Sequence, residues 1–266
     1  MGYGLWSALQ PLVDLNTGHV LAHEALLRGA PGTAWESPAA LFQKATELGH
    51  RVTLEAIARD LALRRLADLP AHQKLFLNID AMTPEIPATP GHPDVEPQTV
   101  VLELSEQQPV LTNPSLLAQV RRWRKAGHAI ALDDYGSGYM GIGAILTLEP
   151  ELLKLDRVIV ADLDQDPKRQ IIVKTMVRMC DELGITLIAE GIETPRELWT
   201  LQDLGVTVGQ GFLLGRPARD PVLQVSLPSR SASDESQHDT PLGAFSKIDP
   251  DGSADGCQNS LGWAAI

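Results

Sequence analysis

Eight short apolar runs with β character recur along this chain, and from the second onward helical patterns separate them. The runs are Ser7–Leu15, Val20–Leu27, Leu75–Ile79, Val100–Leu104, Ala129–Leu132, Leu152–Leu155, Thr186–Ala189 and Val206–Leu213. The helical patterns include Pro38–Leu48, Leu54–Leu66, Pro114–Lys125, Lys168–Leu183 and Pro195–Leu204. Strands that alternate with helices predict a parallel sheet, and eight such units predict a TIM-like (β/α)8 barrel. The first connection departs from that rule. Asp14-Leu15-Asn16-Thr17-Gly18 is turn chemistry with no room for a crossover helix, so the first strand is expected to run antiparallel to the second. Ser37-Pro38 and Thr194-Pro195 each place a hydroxyl before a proline, the pattern of a capped helix start.

The barrel is predicted to occupy residues 1–222. Beyond about Pro221 the composition shifts to Ser, Asp, Gly and Pro, and residues 223–266 are expected to be a polar, disordered tail. Asp249, Asp251 and Ser253 lack the glycine and closing glutamate of a calcium loop and read as solvated linker. The 34 acidic residues outnumber the 22 basic ones, for a net charge of -12, which argues against a surface that grips a nucleic-acid polymer. A small anion held through metal ions remains compatible with that charge. Two cysteines, Cys180 and Cys257, make no disulfide framework, and no run of about 18 apolar residues suggests a membrane span. A cytoplasmic protein is the expectation.

The chemistry is concentrated at the strand ends. Glu24, Asn78, Glu103, Asp133 with Asp134, Lys154, Glu190 and Gln210 fall at or near the ends of successive strand candidates, spaced by 54, 25, 30, 21, 36 and 20 residues. In a barrel these positions converge at the C-terminal mouth, where such folds build their active sites. A lone strand-end acid reads equally well as a helix cap or a surface ion pair. Several brought together repel one another unless a cation compensates them. Oxygen donors without Cys or His favour a hard or borderline divalent ion such as Mg2+ or Mn2+. Adjacent Asp133 and Asp134 invite a two-metal arrangement in which one carboxylate bridges both ions, with Lys154 beside the attacking water. His23, on the opposite face of its strand from Glu24, reads as a packed or partly exposed histidine. Gly136, Gly138, Gly141 and Gly143 read as a mobile rim loop.

At these residues the sequence resembles the EAL-domain phosphodiesterases, which open cyclic di-GMP to linear pGpG. The likeness runs from about Ser7 to Pro217. It takes in Gln10-Pro11-Leu12-Val13-Asp14, Glu24-Ala25-Leu26 with Arg28, Leu77-Asn78-Ile79 and Leu102-Glu103-Leu104-Ser105-Glu106. Leu132-Asp133-Asp134-Tyr135-Gly136-Ser137-Gly138-Tyr139, Leu153-Lys154-Leu155-Asp156, Ala189-Glu190-Gly191-Ile192-Glu193 and Gln210-Gly211-Phe212 complete it.

The resemblance implies Glu24, Asn78, Glu103 and Asp133 as ligands of one ion, and Asp133, Asp134 and Glu190 as ligands of a second. It implies Lys154 as the residue that orients or deprotonates the attacking water, with Glu24, Asp134 and Gln210 completing the catalytic set. Gln10, Arg28, Asp156, Arg216 and Pro217 become substrate contacts, and Glu106 and Glu193 loop anchors. It also implies a homodimer, with any sensory input coming from a separate regulatory partner or from a part absent from this chain. Tyr135, Ser137 and Ser105 replace the usual phenylalanine, threonine and threonine, and Met140-Gly141-Ile142-Gly143 replaces a serine-rich run. The alternative on the same fold is a cyclic di-GMP receptor without turnover, or an interaction scaffold.

Overall fold

The computed structural model describes residues 4–80, 92, 94–105, 113–138 and 141–230. Eight strands close into one barrel in chain order: β1 (Trp6–Asp14), β2 (Val20–Arg28), β3 (Lys74–Asn78), β4 (Val100–Ser105), β5 (Ala129–Tyr135), β6 (Leu152–Leu155), β7 (Thr186–Ala189) and β8 (Val208–Gly209). β1 is antiparallel to both its neighbours, β2 and β8, and every other pairing is parallel. The reason is local. The Asp14 carboxylate accepts from the backbone N–H of Asn16 and Thr17, both at 2.9 Å, and the chain reverses within five residues. No segment is left over for a crossover helix.

The helices are α1 (Pro38–Glu47), α2 (Arg51–Arg64), α3 (Pro114–Ala126), α4 (Ile142–Leu148), α5 (Arg157–Val160), α6 (Pro167–Leu183) and α7 (Pro195–Asp203). Four begin with one device: Ser37, Asn113, Asp166 and Thr194 each cap the backbone with a side-chain oxygen, and each is followed by proline. At α7 the Thr194 hydroxyl and the Glu197 carboxylate satisfy each other's backbone in a full capping box. The expected glycine-rich rim loop is shorter than its glycines suggest, because the chain becomes helical at Ile142 directly after Gly141. β8 is likewise reduced to two residues. At Gly211 an added Cβ would lie 2.1 Å from the Ile192 carbonyl oxygen, and this close approach of two backbones takes the chain out of the sheet.

Side-chain alternation divides each strand between two environments. Ala22, Phe76, Val101, Ala131, Leu152 and Ile188 are buried with inward parity and fill the barrel interior. Each lies two residues before a strand-end polar residue, so the mouth is stacked on this apolar plug. Residues of the other parity, including Leu75, Leu102, Ile130, Leu153 and Leu187, pack outward with Leu116 and Trp123 of α3, Val173 and Cys180 of α6, and Leu198 of α7. Burial pushes the Cys180 thiol up to about 11, which leaves it an inert core side chain. No helix among the described residues is long and apolar enough to cross a membrane.

The barrel unit runs to Leu227. Ala218 bridges Leu9, Gln224 bridges His19, and Val222, Val225 and Leu227 pack against the core. Arg65 ties this segment down by donating to the carbonyl oxygens of Ser7 and Arg219. Residues 231–266, including the segment around Asp249, lie outside the described residues.

His23 faces away from the barrel interior and is wholly buried, beside Gln73 and Val222. Burial lowers its pKa from 6.5 to about 4. Between those values the unfolded chain takes up a proton that the folded chain refuses, so this residue's effect on stability is absent above pH 6.5 and grows unfavourable as pH falls toward 4. Denaturant unfolding from pH 7.5 to pH 4 should show the wild type losing up to about 3 kcal/mol relative to His23→Leu. Parallel pH profiles for the two proteins would refute this account of His23.

Candidate functional site

Lys154 is the centre of the mouth. It lies on β6 with inward parity, fully buried, and its ammonium reaches carboxylates from four other elements. Nζ is 2.8 Å from Glu190 Oε1, 3.1 Å from Asp133 Oδ1 and 3.5 Å from Glu24 Oε2, and it also contacts Glu103 Oε1. Two amides complete the layer. Asn78 donates to Glu24 Oε1 at 2.8 Å and to Glu103 Oε2 at 3.2 Å, and Gln210 donates to Glu24 Oε2 at 3.0 Å. Every strand-end residue picked out by spacing therefore belongs to one cluster.

Asp133 and Asp134 reach the same mouth through a break in the sheet. Leu132 pairs with Leu153 and Tyr135 with Leu155, so two β5 residues stand opposite Lys154 alone. That is a β-bulge, and it overrides the alternation that would send adjacent side chains to opposite faces. Asp134 takes a left-handed backbone, φ 58°, which aspartate tolerates better than most residues. Its carboxylate accepts from the Ser105 hydroxyl at 2.8 Å. Gly136, φ 102°, completes the turn where a Cβ would meet Ile159 Cδ1 at 2.3 Å. As a result, one carboxylate oxygen from each of Asp133, Asp134 and Glu190 lies within 4.8 Å of the others.

The charges do not balance. Burial, reinforced by neighbouring acids, pushes Glu103 and Glu190 well above the usual carboxylate range and raises Asp133. Burial acts on Glu24 in the same direction, but Lys154 and the amides of Gln210 and Asn78 outweigh it and hold Glu24 low. Lys154 resists its own desolvation because Asp133, Glu103, Glu190 and Glu24 hold it protonated. Gln210 Oε1 is buried without a hydrogen-bond partner, and Glu103 Oε1 and Asp133 Oδ1 meet Lys154 without hydrogen-bond geometry. Excess negative charge, oxygen donors alone and spare lone pairs are what a hard divalent cation requires, so these residues fit one.

The expected substrate contacts divide. Gln10, Asp156, Glu190, Glu193, Gln210 and Phe212 border one recess of about 250 Å³ beside Glu24. Gln10 donates to the Gly215 carbonyl at 3.1 Å, and Asp156 caps the start of α5 through Val158 N–H at 2.7 Å. Arg216 stacks 4.0 Å from the Phe212 ring centre, exposed, with half-buried Pro217 following it. Arg28 lines a shallow recess with Thr33 and Glu36, feels the charges of Glu24 and Glu36, and donates to the carbonyl of the preceding Leu27 at 2.9 Å. Glu193 pairs with Arg157 at 3.0 Å, joining the loop after β7 to α5. Glu106 lies outside the described residues.

One group at the mouth escapes the sequence reading. Arg51, Glu55 and Arg59 of α2, with Asp80 just past β3, border a recess of about 360 Å³ that Glu24 and Asn78 also line. A signal for it exists, since Glu55 and Arg59 are four apart and flanked by the apolar stripe Leu54, Ala58 and Ala62.

The family pattern of the EAL domain matches residues 4–217. PdeB of Escherichia coli K12, a probable cyclic di-GMP phosphodiesterase, is 29% identical over 220 residues, covering 78% of this chain and 41% of PdeB. RocR of Pseudomonas aeruginosa, a cyclic di-GMP phosphodiesterase, is 28% identical over 219 residues, covering 78% of this chain and 56% of RocR. The chain thus spans about half or less of these relatives. Among solved structures, Klebsiella pneumoniae BlrP1 in complex with manganese and cyclic di-GMP superposes with a TM-score of 0.69 at 32% identity, over 82% of this chain and 57% of BlrP1.

Replacing the central ammonium tests the electrostatic reading. Lys154→Met keeps the side-chain volume and leaves the buried carboxylates uncompensated, which should cost about 3–5 kcal/mol in chelator. The raised acids gain stability when protonated, so the loss should be larger at pH 8 than at pH 5.5. A melting temperature that matches wild type at pH 8 would contradict this account.

Proposed function

The chain belongs to the EAL domain family, and on that premise we propose that it is a divalent-metal-dependent phosphodiesterase that hydrolyses cyclic di-GMP to linear pGpG. One observation carries the reading: buried carboxylates from β2, β4, β5 and the end of β7 converge on a single ammonium that cannot neutralise them. In this reading Glu24, Asn78, Glu103 and Asp133 would hold one ion and Asp133, Asp134 and Glu190 a second, with Mg2+ or Mn2+ as the metal. The manganese in the BlrP1 complex and the oxygen-only donor set support that choice.

Bound divalent ions supply Lewis acidity and a more acidic water, the chemistry a phosphodiester needs at neutral pH. The chain's own residues do the remaining work. Lys154, fixed by four carboxylates, orients the attacking water. Gln210 and Asn78 lock Glu24 in one rotamer through its two oxygens. Gln10 and Asp156 border the recess next to Glu24 and contact the nucleotide there, while Arg28, Arg216 and Pro217 meet it at the rim. Water adds to one phosphorus, the P–O3′ bond breaks, and the 3′ oxygen leaves with a proton, giving a linear dinucleotide with a 5′ phosphate. Glu106 and Glu193 steady the loops around the mouth. The protein acts as a homodimer, which the exposed Ile142 and Leu146 of α4 and Val158 of α5 support.

The test is incubation of purified protein with cyclic di-GMP and Mg2+ or Mn2+, with products resolved by chromatography. We expect pGpG that disappears with chelator, and a loss of at least about 100-fold in Glu24→Ala and Lys154→Ala. Tight nucleotide binding without product would replace the hydrolase reading with a receptor. Near-normal turnover in either variant would remove the role given to that residue.

A further inference from the structure

Beside the carboxylate mouth, the described residues hold a second concentration of buried charge. Arg51, Glu55 and Arg59 recur every four residues along one side of α2 and meet Asp80, two residues past Asn78. Arg59 is 1% exposed, Asp80 4% and Glu55 5%. Arg51 Nε donates to Asp80 Oδ2 at 2.6 Å, and its guanidinium lies 5.5 Å from the Phe42 ring centre on α1. Arg59 faces the charges of both Glu55 and Asp80. The group therefore joins α1, α2 and the tip of β3.

Burying Glu55, Arg59 and Asp80 is a poor way to stabilise a barrel, because well-packed apolar residues of similar volume do as well or better. Its position suggests what it does. The ladder from β3 to β4 ends with Ile79 N–H donating to the Glu103 carbonyl at 2.9 Å, and Asp80 is the first residue beyond it. Asn78, the last residue of β3, divides its amide hydrogens between Glu24 and Glu103, so a small shift of the β3 tip moves two carboxylates at once. An apolar contact at Asp80 would allow the tip to slide along α2. A charge-assisted bond of fixed direction does not.

We infer that Asp80, bonded to Arg51 and facing the charge of Arg59, is a positioning residue that holds Asn78, and through it Glu24 and Glu103, in the geometry that receives the first divalent ion. The inference rests on the proposed metal reading and adds to it the outer support of one ligand arm. Groups that orient metal ligands from behind are worth about 10–100-fold in metal affinity.

The experiment titrates Mn2+ into chelator-stripped protein without nucleotide, follows the free-ion electron paramagnetic resonance signal, and records the melting temperature of each variant. Asp80→Asn and Arg51→Leu should weaken Mn2+ binding by about 10-fold or more, while Arg51→Lys, which keeps a charged donor, should recover most of it. Should Asp80→Asn fail to fold, Arg51→Leu decides, because Arg51 is 36% exposed at the rim. A purely structural role would lower the melting temperature and leave Mn2+ affinity within about twofold of wild type, which overturns the inference. Wild-type protein that binds no Mn2+ sinks the metal reading and the inference with it, whereas tight wild-type binding matched by the variants sinks the inference alone.

Discussion

The Lys154 ammonium is the only cation among the described residues within ion-pair reach of Glu24, Glu103, Asp133 and Glu190. Those acids come from separate strands or strand ends, so their repulsion acts between elements and opposes closure of the barrel at its mouth. Two features contain it. The closed hydrogen-bond ladder fixes Asn78 beside Glu103 and Gln10 beside Glu24, so no strand can relieve the repulsion by sliding. The apolar layer below, including Phe76, Val101, Leu152 and Ile188, supplies the burial that holds the strands at that register. The mouth is an electrostatic load carried by the packing beneath it.

Regular structure alone could not build the site. A strand delivers one inward side chain every second residue, yet Asp133 and Asp134 both face the mouth, which costs a bulge, a left-handed Asp134 and a glycine at position 136. Ser105 holds the displaced carboxylate. On the opposite side, the buried Glu197 carboxylate accepts from the backbone of Asp162, Glu193 and Thr194 and so fixes the loop that follows Glu190. Both flanks of the acidic mouth are thus fixed by specific hydrogen bonds to carboxylates, at Asp134 and at Glu197.

Much of this was legible in the sequence because it obeys period and spacing. Alternation gave the barrel, the Asp14–Gly18 turn gave the antiparallel first strand, and one polar residue per strand end gave the mouth. The remainder depends on contacts that periodicity does not encode. Val206–Leu213 reads as an eight-residue strand because it is apolar, but only Val208 and Gly209 pair, since Gly211 abuts the Ile192 backbone. The Gly136–Gly143 stretch reads as loop by composition, although Ile142 to Leu148 form a helix. Arg28 follows Glu24 by four residues on the same strand and feels its charge, while its guanidinium donates to the Leu27 carbonyl, a local bond that spacing does not encode. The charges on α2 go unread, since helical spacing places Glu55 and Arg59 on one face but does not say that the face is buried.

The two charged clusters are informative when compared. On α2 and the β3 tip, two guanidiniums face two carboxylates, although burial and the neighbouring Asp80 push Glu55 up to about 7. At the mouth, four carboxylates meet one ammonium with Asp134 beside them, and burial strains Glu103, Asp133 and Glu190 toward protonation. Both clusters are buried, so burial alone does not explain the difference. A balanced cluster resists change and serves to hold backbone in place, whereas an unbalanced one has free energy to gain from positive charge arriving from outside. The two share the wall that contains Glu24 and Asn78, which places a fixed charge lattice directly behind the half of the mouth that most needs its ligands held still.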